Sequence, residues 1–307
     1  MARRKRGRDI DGVILLDKPL GLSSNRALQR VRRAYDARKA GHTGSLDPLA
    51  TGLLPICLGE ATKLSSHLLQ SDKHYRVTAR LGSETTTGDA EGEICRTSAV
   101  PVPTGGDLDR LLAGFIGEQT QIPPMYSALK IDGKPLYEYA REGRTVERAP
   151  RPIAVHTLDL VDVGTTHLTL DVAVTGGTYV RTLVEDMARA WGGCAHVAAL
   201  RRTRVGQLGV DEPMIELEKI ENAARDEPEQ LASWLRPVSA LVADWPVARL
   251  DAAQTHAILH GQRVAGPWPV RDCLLRIESA DGRMLGFGYC EQAGELRPKR
   301  LFARGQA

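Results

Sequence analysis

The chain has 307 residues, 42% of them apolar, which is enough for one large folded unit and a small one. Net charge is only +3, yet residues 1–40 carry twelve Lys/Arg against four Asp/Glu, a local +8 that leaves −5 for the remainder. Five cysteines (57, 95, 194, 273 and 290), odd in number and never in a C-x-x-C pair, exclude a disulfide framework or a zinc knuckle, and no run has the roughly 18 apolar residues of a membrane span or the core of a signal peptide.

In chain order, "MARRKRGR" reads as a basic tail over residues 1–9. "GVILLDKPLG" reads as a short buried strand ending at Pro19 and Gly21, after which Ser23 or Ser24 can cap a helix with Ala27, Leu28, Val31, Ala34 and Tyr35 on one face. That helix and its flank carry Arg26, Arg30, Arg32, Arg33, Arg38 and Lys39. Charge alone does not separate a solvated helix face from a polyanion-binding surface. "GHTGSLDPLATG" then sets a lone carboxylate, Asp47, among glycines and small polar residues. Its bland reading is a turn, or the cap of a helix beginning at "PLATGLL". A buried carboxylate there needs a cationic partner from elsewhere in the chain, and Arg181 is a candidate.

"HYRVTARLG" alternates Tyr75, Val77, Ala79 and Leu81 against Arg76, Thr78 and Arg80, as a half-buried strand does, and "LTLDVAVTGG" repeats the pattern. "TYVRTLVEDMARAWG" is a helix with Val180, Leu183, Val184, Met187, Ala188 and Trp191 on its buried face and Arg181 in its first turn, off that stripe. Residues 84–150, rich in turn formers and charges around a short helix at about 107–117, read as an insertion or long surface loops. After about residue 245, "CLLRIES", "MLGFGYCE" and "LRPKRLF" suggest a small β-barrel.

Several motifs carry less. "GHTGSLDP" lacks the Gly-Lys-Ser/Thr ending of a phosphate loop, and no G-x-G-x-x-G follows a strand. "HAILH" at 256–260 has no glutamate after its first histidine, and Asp89, Glu91 and Glu93 in "TTTGDAEGE" read as a solvated strand edge rather than an ion site.

The stretches "LDKPLGLSSN", "GHTGSLDPLATGLLPICLGEATK", "YRVTARLGSETTTGD", "QIPPMYSALKIDGKPLYEYAREG", "GTYVRTLVEDMA" and "LRRTRVG", in this order over residues 10–210, resemble the TruB family of bacterial tRNA pseudouridine synthases. The last 60 residues resemble, more weakly, that family's PUA-like barrel. The resemblance implies an α+β fold: a mixed, mainly antiparallel sheet with an RNA-binding cleft over residues 10–245, an insertion at about 84–150, and a PUA-like RNA-binding unit at 246–307. It also implies isomerisation of the T-loop uridine of tRNA, position 55, to pseudouridine, in which uracil leaves the ribose at N1 and rejoins through C5. No cofactor and no metal are needed for that reaction. The implied partner is the tRNA T-arm, for a cytoplasmic monomer with no membrane contact and no obligate protein partner.

On this resemblance Asp47 is the catalytic aspartate. Arg181 is its partner, expected to be bidentate and to keep its pKa low, and Tyr75 stacks on the uracil and can assist proton removal at C5. His42 fills space left by the flipped nucleotide, and Tyr179 and Leu200 are substrate-pocket positions. Lys63, Lys130, Arg141 and Arg144 join the basic helix as expected phosphate contacts. Two rivals remain at the level of sequence. A non-catalytic RNA-binding or RNA-chaperone protein would not need Asp47, although a tRNA-folding chaperone role can coexist with catalysis. A carboxylate-dependent N-glycosidase would release free uracil.

Overall fold

β1 (Gly12–Lys18) is buried along both faces, which accounts for its unbroken apolar run: Ile14 and Leu16 join the main core, while Val13 and Leu15 face a second cluster shared with the C-terminal sheet. The computed structural model describes residues 7–100, 105–210, 212–268, 270–291 and 294–306. Residues 1–6 of the basic tail lie outside them. α1 (Ser24–Ala34) begins at Ser23, whose side chain accepts from the Arg26 amide at 3.3 Å, and it buries Ala27, Leu28 and Val31. β2 (Ala40–His42) and β3 (Ala50–Leu58) flank the Asp47 segment. "PLATGLL" therefore enters a strand and not a helix, because β3 is paired along its edges with β1, β2 and a later strand, and pairing plus burial outweigh weak local propensity.

The chain continues through α2 (Ser65–Leu68), β4 (Lys73–Leu81), a hairpin of β5 (Ser83–Thr85) and β6 (Ile94–Thr97), α3 (Gly105–Gly114) and β7 (Gly117–Gln121). A two-residue ribbon, β8 (Lys130–Ile131) and β9 (Lys134–Pro135), leads into α4 (Leu136–Arg141), β10 (Arg151–Val163) and β11 (His167–Val174). Then come α5 (Val180–Ala190), β12 (Ala195–Val205), β13 (Ile215–Glu216), α6 (Leu217–Asp226) and α7 (Gln230–Ser233). Part of the segment 84–150 is scaffold: Leu108 and Leu112 of α3 enter the main core, and β7 pairs with β10.

The main sheet runs β13-β1-β3-β12-β4-β11-β10-β7, with β2 added beside β3. The β13–β1 and β3–β12 pairs are parallel and the others antiparallel, as the expected mixed, mainly antiparallel sheet requires. β4 alternates buried Tyr75, Val77, Ala79 and Leu81 with more exposed neighbours, and α5 buries Leu183, Val184 and Met187 against the same core. The C-terminal unit contains β14 (Val247–Leu250), α8 (Ala252–Leu259), β15 (Val264–Ala265), β16 (Cys273–Ser279), β17 (Met284–Cys290) and β18 (Glu295–Gln306). Its five strands form one sheet, whose Met284, Phe287 and Phe302 pack against Val13, Leu53 and Cys57. Among the described residues no helix is long and apolar enough to cross a membrane.

At the sheet's centre β12 lies between β3 and β4. It pairs Leu200 with Ala50 and Val77, and Arg202 with Gly52 and Tyr75. The backbones close up at Gly52, which has φ +94° and no room for a side chain, since a Cβ there would lie 2.2 Å from the Arg202 carbonyl. Gly52→Ala should cost at least about 2 kcal/mol in urea unfolding, from left-handed backbone strain plus the overlap.

Candidate active site

Two loops meet where Asp47 sits. The Ser24 hydroxyl accepts from the Leu46 amide at 2.7 Å and reaches the Leu46 carbonyl at 2.9 Å, and the Gly21 amide donates to the Pro48 carbonyl at 2.8 Å. Lys18, fully buried at the end of β1, donates to the carbonyls of Pro19 (2.8 Å), Leu22 (2.6 Å) and Pro48 (3.4 Å). Burial lowers the Lys18 pKa to about 8 against the opposing pull of Asp47. "KPLGLSSN" and "GHTGSLDP" are thereby stitched into one rigid platform.

Arg181, in the first turn of α5, is 6% exposed although it lies off the apolar stripe. Its burial is compensated at both terminal nitrogens. Nη2 lies 3.0 Å from Asp47 Oδ2 and donates to the Tyr126 carbonyl at 2.7 Å. Nη1 lies 3.4 Å from Asp89 Oδ2 and donates to the Thr87 carbonyl at 2.6 Å. The expected pairing of Asp47 with Arg181 is present, but Arg181 is divided between two carboxylates and two carbonyls, and its contact with Asp47 runs through one nitrogen.

That division alters the electrostatics. The Asp47 side chain is 41% exposed, yet the cleft walls strip it of enough water to raise its pKa above the ordinary aspartate value. Arg181 opposes the rise, Asp89 adds to it, and Lys18 opposes it more weakly. The expectation of a low pKa is thus corrected: loss of hydration outweighs one shared cation.

Asp89 is the main residue that sequence reasoning misplaced. Far from a solvated edge, it is 2% exposed, accepts from the Thr87 hydroxyl at 2.6 Å and from the Glu91 amide at 3.1 Å, and faces Arg181. The threonines around it were the usable signal, since a short run of hydroxyls beside an acid can solvate it internally. Glu93 is exposed as expected. Glu91 lies at the rim, its pKa raised by partial burial and then by Asp89 and Asp47. Because Asp89 repels Asp47, Asp89→Asn should move the acid limb of the pH–rate profile to lower pH, as measured by single-turnover rates.

Asp47, Arg181, Asp89 and His42 line one cavity of about 520 Å³ together with Ser23, Ser24, Thr87, Tyr126, Ser127, Tyr137 and Arg141. That volume suits a nucleoside-sized ligand within the ~300–1,000 Å³ of small-molecule sites. The pKa of His42 is lowered by burial and by Arg202, which favours a neutral ring, and its Nδ1 accepts from the Gly44 amide at 3.4 Å. Tyr75, Tyr179 and Leu200 do not line this cavity. Tyr75 (8% exposed) and Leu200 (8%) are buried on β4 and β12. Tyr179 precedes α5, its backbone clamped by Gln121, whose side chain accepts from the Tyr179 amide at 2.8 Å and donates to its carbonyl at 3.1 Å.

Of the expected phosphate contacts, Arg141 lines the cavity with its guanidinium 5.2 Å from the Tyr137 ring. Lys63 is engaged by Glu60 at 2.7 Å and by the Leu301 carbonyl at 2.7 Å, and Arg144 lies 3.7 Å from Glu142. On and beside α1, Arg30 pairs with Glu221 and Arg38 with Asp9 at 2.6 Å, while Arg26 and Arg33 are exposed.

Comparison with known proteins identifies the family. Residues 32–180 match the family described as TruB family pseudouridylate synthase (N terminal domain). Residues 181–243 match the tRNA pseudouridylate synthase B C-terminal domain, and residues 246–302 match Pseudouridine synthase II TruB, C-terminal. The tRNA pseudouridine synthase B of Nitrosococcus oceani is 49% identical over 299 residues, 97% of each chain. That of Burkholderia mallei is 49% identical over 311 residues, covering 99% of this chain and all of the relative. Among solved structures, a Cbf5-Nop10-Gar1 complex matches with TM-score 0.74 and 25% identity, over 95% of this chain and 84% of that one. With near full-length identity of 49% and family matches along most of its length, the chain belongs to the TruB family of pseudouridine synthases.

Proposed function

We propose that this chain isomerises the T-loop uridine at position 55 of tRNA to pseudouridine, with Asp47 as the reacting carboxylate. The observation that carries this reading is the placement of Asp47 in a nucleoside-sized cavity, 3.0 Å from a buried arginine, within the segment matched by the family's N-terminal domain. Asp47 in its ionised form attacks the nucleotide or stabilises a cationic ribose as the N1–C1′ bond breaks. Uracil then turns and rejoins through C5. The C5 proton leaves and N1 gains one, so the product has the mass of the substrate.

A uridine inside a folded loop must leave its stack to reach Asp47. In this reading His42 occupies the vacated space, and Tyr75 contacts the uracil, with Tyr179 and Leu200 as further pocket positions, once the bound nucleotide opens the cavity beyond the lining it has in the free protein. Phosphates are held by Arg141 and the exposed arginines of α1, with the C-terminal unit (246–307) as a PUA-like RNA-binding part. The relatives at 49% identity are tRNA pseudouridine synthases, which supports tRNA as substrate. Position 55 is tested by incubating a T-arm stem-loop with the enzyme, forming the carbodiimide adduct of pseudouridine and reading primer-extension stops. A single stop at the T-loop uridine is expected, and a stop elsewhere overturns the assignment.

A further inference from the structure

Arg202 has no accessible surface and no carboxylate within ion-pair distance among the described residues. A buried cation without an anion is costly, and such groups persist when hydrogen bonds hold them for a purpose. Its guanidinium donates to the carbonyls of Leu53 at 2.8 Å, Gly44 at 3.1 Å and Ser45 at 3.5 Å. Directly across the strand pair from Arg202 stands Tyr75, whose phenol is the polar side-chain group that bears on the guanidinium's charge. Directly opposed residues of an antiparallel pair project to the same face, so the contact is set by register. The uncompensated charge is felt nearby: Lys73, mainly desolvated and further opposed by Arg202, has a pKa of about 8.

Gly44 and Ser45 lie three and two residues before Asp47. One guanidinium thus touches both the loop that carries Asp47 and the ring that the proposed function sets against uracil. We propose that Arg202 is a positioning residue for the isomerisation, fixing the Tyr75 oxygen relative to Asp47. Arginine only donates, so a phenol oxygen that meets it does so as the acceptor. The inference rests on the proposed role of Tyr75, and two measurements keep its failure distinct from failure of that role.

The first is a double-mutant cycle in single turnover on tRNA tritiated at uracil C5. Arg202→Met should slow label release roughly 100-fold in the native background, as loss of a placed group does, and less than about threefold with Tyr75→Phe. Equal losses in both backgrounds would mean that Arg202 acts on the scaffold, and the proposal fails. The second uses 13Cζ-tyrosine labelling of the seven tyrosines and needs no activity. The Tyr75 resonance, assigned with Tyr75→Phe, should move in Arg202→Met while those of Tyr137 and Tyr139 stay, and an unmoved Tyr75 resonance overturns the contact. If wild type releases no label, the reading of the reaction fails and the resonance alone decides this inference. Should Arg202→Met not fold, Arg202→Gln, neutral but still a donor to the Leu53 carbonyl, takes its place with the same outcomes.

Discussion

Asp47→Asn should lose pseudouridine formation by at least roughly 10⁴-fold while remaining folded and binding tRNA, because the amide keeps the side chain's shape but supplies no negative charge to the reacting centre. Stability should move the other way. Burial raises the Asp47 pKa above its unfolded value, so the native state holds the proton more tightly than the unfolded chain. The stability contribution is fully present below the ordinary aspartate pKa and is lost as pH rises through the folded value. At pH 7 wild type therefore bears the cost of a desolvated carboxylate and the asparagine variant does not, and the variant's melting temperature should equal or exceed that of wild type. Arg181 remains held in the variant by Asp89 and by the carbonyls of Thr87 and Tyr126. A melting temperature well below wild type would show that Asp47 is mainly a structural partner of Arg181.

Arg181→Lys should lower the single-turnover rate roughly 100-fold or more with tRNA affinity within a few-fold of wild type. The guanidinium spans Asp47, Asp89 and two carbonyls from two nitrogens, and an ammonium, a single point with three hydrogens, cannot reach all four. Whichever contact it drops leaves a polar group in the cleft unpaired. If it drops Asp47, the carboxylate loses its main stabilising charge and the acid limb of the rate profile moves to higher pH, opposite to the shift expected for Asp89→Asn. Arg181 also joins three separate elements: the Asp47 loop, the turn after β5 and the segment at Tyr126. A change in affinity as large as the change in rate would place its role in RNA binding.

Much of this site was legible because strong local patterns coincide with the fold. The period-two alternation of β4 placed Tyr75 inward, and the helical stripe after Gly177 placed Arg181 in a first turn. The need of a buried acid for a cation made Arg181 a candidate, and the family resemblance made it the partner of Asp47. What sequence could not yield was the sharing of Arg181. Asp89 reads as one of three alternating acids, and only the tertiary bridge that brings it beside Val197 on β12 shows which of them turns inward. Arg202 was equally silent, since "LRRTRVG" offers three arginines at nearly even spacing, and their fates depend on register. Arg201 pairs bidentately with Asp17, Arg204 bonds Gly206 and Gln207, and Arg202 alone of the three is sealed beneath the site. The strand at "ATGLLPICL" was similarly hidden, because its neighbours come from residues 12–18 and 200–202.

In the proposed reaction Asp47 drives isomerisation and not mere base release. The most direct test is incubation of tRNA tritiated at uracil C5 with wild type and with Asp47→Asn, following released tritium and the mass of the nucleosides after digestion. Wild type should release tritium in step with a uridine isomer of unchanged mass, with no free uracil, and the variant should release essentially none. Free uracil in the products, or equal tritium release by the two proteins, would contradict it.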